Sequence, residues 1–412
     1  MTRLLRCHDC DLLHEVPEVP AGSRALCGRC GAVLLARRPE TVERSIALAL
    51  ASLFFWLVAN LFPFLTMEIG GRIEPSRLAS GVGGLWADGF FELAVLVLLF
   101  AVAFPFLKIA AWLAVLVPLH LGLKPRYLAP LFRGLDLLHP WAMTEVFLLG
   151  VLVSYTKIVD MASITVGPAL VGFVALIVTM IWTDLTLDTA EVWDRIAAPP
   201  ESGVPATSGT LLVGCHVCGV VAALSEQHGV VHGRCARCGA GLHRRKANSV
   251  SRAWALVVAA LILYVPANLY PVMILVSFGE ATQATILGGV QELIAAEMLP
   301  LALLVFFASI TVPVLKLVGL AFLLVSVQRR SRWRTRERTV IYRIVESVGR
   351  WSMLDIFVLA ILAGLVRLGN IATIEPGAGA ISFAAVVVIT MFGAMCFDPR
   401  LLWDAAGAND GH

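Results

Sequence analysis

Phe104-Pro105-Phe106-Leu107-Lys108 lies midway along an apolar run from Phe90 to His120, and its pattern recurs 208 residues later as Val312-Pro313-Val314-Leu315-Lys316. A proline inside a helix cannot donate to the carbonyl four residues back. For Pro313 that carbonyl belongs to Ser309, which is seven residues from Lys316 and so shares its helix face. An ionisable residue within a bilayer is costly and marks a functional position by default. A single such lysine is as readily a snorkelling residue on a kinked packing helix. Two copies in register make the proline–lysine break a property of a repeat.

The rest of the chain fits a membrane setting. Its 412 residues are 58% hydrophobic and only 15% charged, which is the composition of a polytopic membrane protein. No signal peptide is visible, because the first 44 residues are polar and rich in arginine and cysteine. Four apolar runs follow: Ser45 to Leu65, Phe90 to His120, Trp141 to Ile158, and Pro168 to about Thr186. The second half repeats their order. Asn60-Leu61-Phe62-Pro63 is matched by Asn268-Leu269-Tyr270-Pro271, and Trp141-Ala142-Met143-Thr144-Glu145 by Trp351-Ser352-Met353-Leu354-Asp355. Thr179-Met180 is echoed by Thr390-Met391, and Leu187-Asp188 by Phe397-Asp398. The expected architecture is therefore an all-α membrane protein, a tandem duplication of a four-helix unit with eight spans. Four spans is an even number, so the repeat is parallel.

Eight of the nine cysteines fall in Cys-x-x-Cys pairs: Cys7 with Cys10, Cys27 with Cys30, Cys215 with Cys218, and Cys235 with Cys238. Sixteen residues separate the pairs in each half. Two thiolates three apart chelate one ion from a tight turn, and two such turns complete a tetrahedral four-sulfur site, usually structural zinc. Iron uses the same ligands and is the second choice. Gly31, Gly219 and Gly239 follow their pairs, where the turn needs an unhindered backbone. His8 and His216, between paired cysteines, read as spacers. Cys396 reads as a small buried hydrophobe. The domain reading is a zinc ribbon over 1–44, a membrane unit over 45–186, a linker over 187–210, a second ribbon over 211–250, a second membrane unit over 251–404 and a tail over 405–412.

Thiolates kept as ligands imply a reducing compartment. Basic residues agree. The segment Gln328 to Arg350 carries Arg329, Arg330, Arg332, Arg334, Arg336, Arg338, Arg343 and Arg350, whereas Val276 to Glu297 has no lysine or arginine. The positive-inside rule then places the ribbons and both termini in the cytosol. Orientation and anionic lipid account for the arginines without nucleic acid. No nucleotide loop, nucleophile elbow or paired helical histidine motif is present, so no enzyme activity is expected.

Within or beside the spans the second half places Ser309, Lys316, Ser352, Asp355 and Thr390, where the first has Ala101, Lys108, Ala142, Glu145 and Thr179. The first half adds Lys157 and Asp160 at the outer face. Either these groups glue the bundle through interhelical hydrogen bonds, or they form a polar pathway around Lys316 and Asp355.

With its two Cys-x-x-Cys pairs per half, Asn-Leu-x-Pro at Asn60 and Asn268, Pro-x-Leu-Lys ending at Lys108 and Lys316, Arg-Trp-Ser-Met-x-Asp over Arg350 to Asp355, and Cys-Phe-Asp-Pro-Arg-Leu-x-Trp-Asp over Cys396 to Asp404, the chain resembles the paraquat-inducible protein A family of bacterial inner-membrane proteins along essentially its whole length. The resemblance implies a periplasmic MCE-domain partner, expected as a hexameric tunnel, and a role in moving phospholipids between the two membranes in support of the cell envelope. It also implies an intramembrane polar network at Lys157, Asp160, Ser309, Lys316, Ser352, Asp355 and Thr390, with helix breaks at Pro105 and Pro313. The competing expectation is a membrane redox protein that passes electrons from four-cysteine iron sites to quinone.

Overall fold

The computed structural model describes residues 3–69, 72–87, 89–158, 163–198, 210–225, 233–277, 280–365 and 372–407. Asp160 and residues 199–209 of the linker lie outside this set, as do the side chains of Lys157, Arg350 and Asp355. Six helices are long and apolar enough to cross a membrane: Thr41–Leu61, Phe91–His120 and Pro168–Thr186, then Ser249–Leu269, Leu299–Gln328 and Ala378–Cys396. At about 1.5 Å per residue each covers roughly 30 Å or more. The third helix of each half is described over Thr144–Ile158 and Leu354–Leu365, both ending where the described residues stop. These two third helices pack on each other and join the halves. Phe147 and Phe357 meet edge to face at 5.4 Å, and the Ser154 hydroxyl lies 3.4 Å from the Val358 carbonyl. A Cβ at Gly150 would stand 3.0 Å from the Phe357 Cβ, so a larger residue there would push the two helices apart by a few tenths of an ångström.

Both prolines sit inside continuous 30-residue helices. Directly before each, the helix widens into a π turn, Leu98–Ala103 and Phe307–Thr311. Such bulges absorb a lost i to i−4 bond without ending the helix. The Trp56 Nε1–H donates to the Val102 carbonyl at 3.3 Å, and the Tyr264 hydroxyl reaches that of Ile310 at 3.5 Å. The carbonyl that meets an outside donor in the second half is thus that of Ile310, one residue beyond the Ser309 that the α-helical rule singles out.

The Asn-Leu-x-Pro motifs end the first helix of each half. Asn60 and Asn268 each donate back to the carbonyl four residues earlier at 2.8 Å. The following proline carbonyls accept from the start of the fourth helix, Pro63 from the Ala169 N–H at 3.3 Å and Pro271 from Gly379 at 3.0 Å. Beyond these motifs lie strands that the all-helical expectation lacked. Leu65–Ile69 pairs antiparallel with Arg72–Ser76 and Ser163–Val166. Met273–Ser277 pairs likewise with Glu280–Ala284 and Ala372–Pro376. One strand of each sheet comes from about a hundred residues away, which no local pattern reveals.

The ribbons sit at the opposite end, before Thr41 and Ser249. Each has two hairpins, Arg3–Arg6 with Leu13–Val16 and Arg24–Leu26 with Val33–Ala36, then Thr210–Gly214 with Val221–Ser225 and Gly233–Arg234 with Gly241–Leu242. Their cysteine turns dock crosswise. The first ribbon's cysteines belong to one buried cluster with Leu317, Leu320, Tyr342, Val345 and Trp403 of the second half. In the second ribbon Arg237 donates to Asp194 at 2.5 Å and to the Ala197 carbonyl at 2.8 Å, both in the first half.

A test of the motif is steric. A Cβ on Gly377 would lie 2.1 Å from the Pro271 carbonyl oxygen, whereas one on Gly289 meets nothing within 4 Å. Gly377→Ala should lose about 1–3 kcal/mol, read as a lower melting temperature in detergent, and Gly289→Ala should hold or gain stability.

Candidate functional site

Three candidate sites emerge, two in the ribbons and one pair in the membrane. Each cysteine turn repeats one backbone pattern: the first cysteine's N–H donates five residues ahead, and its carbonyl accepts from the residue four ahead. Examples are Cys27 to the Ala32 carbonyl at 2.7 Å and Gly31 to the Cys27 carbonyl at 2.9 Å. That fourth residue is left-handed in every turn, with φ of 73° at Gly31, 71° at Gly219, 70° at Gly239 and 62° at Asp11. Asp11 is the departure, since aspartate tolerates this conformation better than most side chains. The turns bring the thiols together. Cys7 and Cys30 Sγ are 3.4 Å apart, and Cys10 and Cys27, Cys215 and Cys238, and Cys218 and Cys235 are each 3.5 Å apart. Within each ribbon all four sulfurs lie within 4.8 Å of one another and all four residues are buried. Four thiolates about 2.3 Å from one ion would sit at such separations, so the donor set fits one metal ion per ribbon. His8 is exposed and turned to Asp9, and the His216 ring lies 5.5 Å from that of His243, tilted by 47°. The histidine beside a thiol cluster is His14, with Nε2 3.2 Å from Cys27 Sγ. Sequence spacing gave no sign of it, because it arrives on the neighbouring hairpin strand.

In the membrane the two lysines have unlike surroundings. Lys108 Nζ donates to Asp184 Oδ2 at 2.7 Å, lies 3.1 Å from His139 Nδ1 and sits 4.8 Å over the Trp112 ring. Lys316 is equally buried. Among the described residues its hydrogen-bond partner is the Thr390 hydroxyl, 2.8 Å away, which itself donates to the Val387 carbonyl at 2.9 Å. Gly349 packs so close that a Cβ there would lie 3.3 Å from Lys316 Nζ.

Equivalent helix ends explain the difference. The fourth helices, Pro168–Thr186 and Ala378–Cys396, are both 19 residues long and begin after Gly167 and Gly377. Their thirteenth residues are Met180 and Thr390, and their seventeenth are Asp184 and Ala394. The Thr179–Thr390 correspondence expected from sequence is therefore one residue out of register. Likewise His139 of the first half corresponds to Gly349 of the second. Each lysine thus has its partners exactly where the other half has none: Asp184 and His139 against Ala394 and Gly349, Thr390 against Met180. Asp184 and His139 were not singled out from sequence, although an aspartate in the last turn of an apolar run was a readable sign.

The hydroxyls of Ser309 and Ser352 are buried and find no hydrogen-bond partner among the described residues, while Ala101 and Ala142 are buried at the matching positions. Ser309 lies in the π turn and Ser352 in the short 3-10 turn Gly349–Met353 that begins with the glycine against Lys316. Ser309 and Ser352 are thus held by two buried turns, Lys316 by the helix Val312–Gln328 that follows the first of them, and Thr390 by Ala378–Cys396. An unmatched buried hydroxyl costs about 1–3 kcal/mol. Ser309→Ala and Ser352→Ala should accordingly melt no lower than the parent in detergent. Asp184→Asn, which strips Lys108 of its anion, should lose about 1–3 kcal/mol, discounted for the part-exposed carboxylate.

The paraquat-inducible protein A family model matches the chain twice, over residues 42–197 and 250–407. The chain is 36% identical to the intermembrane transport protein PqiA of Escherichia coli K12, over 97% of this chain and 95% of that protein. It is 30% identical to the lipophilic envelope-spanning tunnel protein A of the same strain, over 97% of this chain and 91% of the relative. A probable intermembrane transport protein of Haemophilus influenzae is 28% identical, over 97% and 96%. No solved structure matches the chain.

Proposed function

This chain belongs to the paraquat-inducible protein A family, and from that premise we propose that it is a non-enzymatic subunit of an intermembrane transport system. It passes phospholipid between the inner membrane and a periplasmic MCE-domain tunnel protein. The observation that supports a transport role is the second-half site: among the described residues, a buried amine with one hydroxyl acceptor, and two buried serine hydroxyls with no hydrogen-bond partner. Groups left unmatched at a cost to stability are kept where something else uses them. The sites in this reading are Lys316, Ser309, Ser352 and Thr390, together with Asp355, Lys157 and Asp160. The ligand is a lipid phosphate or a proton whose passage drives opening. A pocket between the halves on the sheet side, lined by Phe64, Phe147, Ala360 and Ile361, holds only about 20 Å³. Drug-sized ligands need about 300 Å³ or more, so lipid passage requires the third helices to part. The two ribbons hold one structural zinc each and, with both termini, face the cytosol.

Lys316→Ala should abolish transport-dependent growth under envelope stress, while membrane insertion and metal content stay as in the parent. Lys108→Ala should do less, since its amine is already satisfied by Asp184. Full complementation by Lys316→Ala at normal expression would sink the pathway.

Orientation has its own measurement. Gln283 is exposed on a sheet-end strand, and Arg332 is exposed beyond the ribbon end of the helix Leu299–Gln328. A membrane-impermeant thiol reagent applied from the periplasm should label Gln283→Cys and miss Arg332→Cys. The reverse pattern would place the ribbons outside.

A further inference from the structure

The crosswise docking of the ribbons ends on the metal ligands themselves. Arg343, on the connector helix Thr335–Val348 of the second half, donates from Nη2 to the Cys30 carbonyl at 3.3 Å and approaches Cys30 Sγ at 3.5 Å. Its Nε donates to Asp9 Oδ2 at 2.7 Å, and Asp9 sits between Cys7 and Cys10 in the other turn of the same ribbon. One guanidinium therefore spans both cysteine turns of the first ribbon. Arg133, on the matching connector Leu128–Leu138 of the first half, donates to the Cys238 carbonyl of the second ribbon at 3.5 Å. It also lies over the left-handed Gly239, where a Cβ would be 3.8 Å from its Nη1. Where the first ribbon has Asp9, the second has Val217. The second clasp is the simpler of the two.

Four thiolates around a divalent ion leave a net charge of about −2. An N–H aimed at a thiolate draws charge from the sulfur, and a guanidinium does so with a full opposite charge. Groups of this kind orient the ligands, and losing one commonly costs about 10- to 100-fold in metal affinity. We infer that Arg343 and Arg133 are positioning residues of the metal site in the opposite half's ribbon, so that each ion's hold depends on the other membrane unit. This rests on the reading of the ribbons as zinc sites. It adds that the two sites are unequal, the first being the one closed by a bridge across both turns.

The test uses the full chain, purified in detergent with its zinc and challenged with the chelator pyridylazoresorcinol. The parent should release two ions per chain. Arg343→Ala should speed the release of one of them about tenfold and leave the other unchanged. Arg133→Ala should speed the other, by a smaller factor. Arg343→Lys keeps the charge but not the two-pronged reach, and should fall between parent and alanine variant. With cobalt in place of zinc, Arg343→Ala should move one site's thiolate-to-metal charge-transfer band to lower energy, a change that loosened docking alone would not produce. Parental release rates in Arg343→Ala, or equal acceleration of both ions, would overturn the inference while leaving the zinc reading intact. A chain that carries no tetrahedral metal would overturn both.

Discussion

An amine buried in a medium of low dielectric must find acceptors, and the two halves of this protein meet that demand in opposite ways. In the first half the demand is met inside the fold, by a carboxylate at 2.7 Å, an imidazole nitrogen at 3.1 Å and an indole face. In the second half the same lysine, on the same widened helix, has its carboxylate position occupied by Ala394 and its imidazole position by Gly349. A duplicated unit has thereby become one braced half and one half with polar groups to spare. The sheets, the proline-linked corners and the shared core of third helices hold that asymmetry in place.

The corners are what make it stable. Pro63 and Pro271 hand their carbonyls to the fourth helix across a gap that admits only glycine. The fourth helix carries Asp184 in one half and Thr390 in the other. A sequence motif that resembles a site is here a piece of scaffolding, and its effect on the lysines is to fix which residue of the fourth helix stands opposite each amine.

The cysteine turns and the repeat were legible because their chemistry is local: three-residue spacing sets a chelate, and apolar runs announce themselves at any position. The π turns were half legible, since proline forecasts a lost bond but not how the helix absorbs it. The lysine partners were obscured by a shift in the repeat, 208 residues between the lysines but 210 between the fourth helices. Sheet pairing lay beyond local pattern altogether. So did the docking of the ribbons. A parallel duplication supplies two equivalent surfaces, Arg133 and Arg343 both standing ready, and nothing in the spelling says whether a ribbon settles on its own half or on its neighbour.

That choice bears on how such a chain is made. The first ribbon leaves the ribosome more than three hundred residues ahead of Arg343. At roughly 5–20 residues per second its cysteine turns wait on the order of 15–60 s for the surface that completes them, whereas the second ribbon emerges to find its surface already built. A lone four-helix unit would leave its ribbon's berth empty unless two copies exchanged ribbons, as domain-swapped dimers do. Joining two such copies end to end turns a concentration-dependent encounter into an intramolecular one, and frees the two berths to diverge.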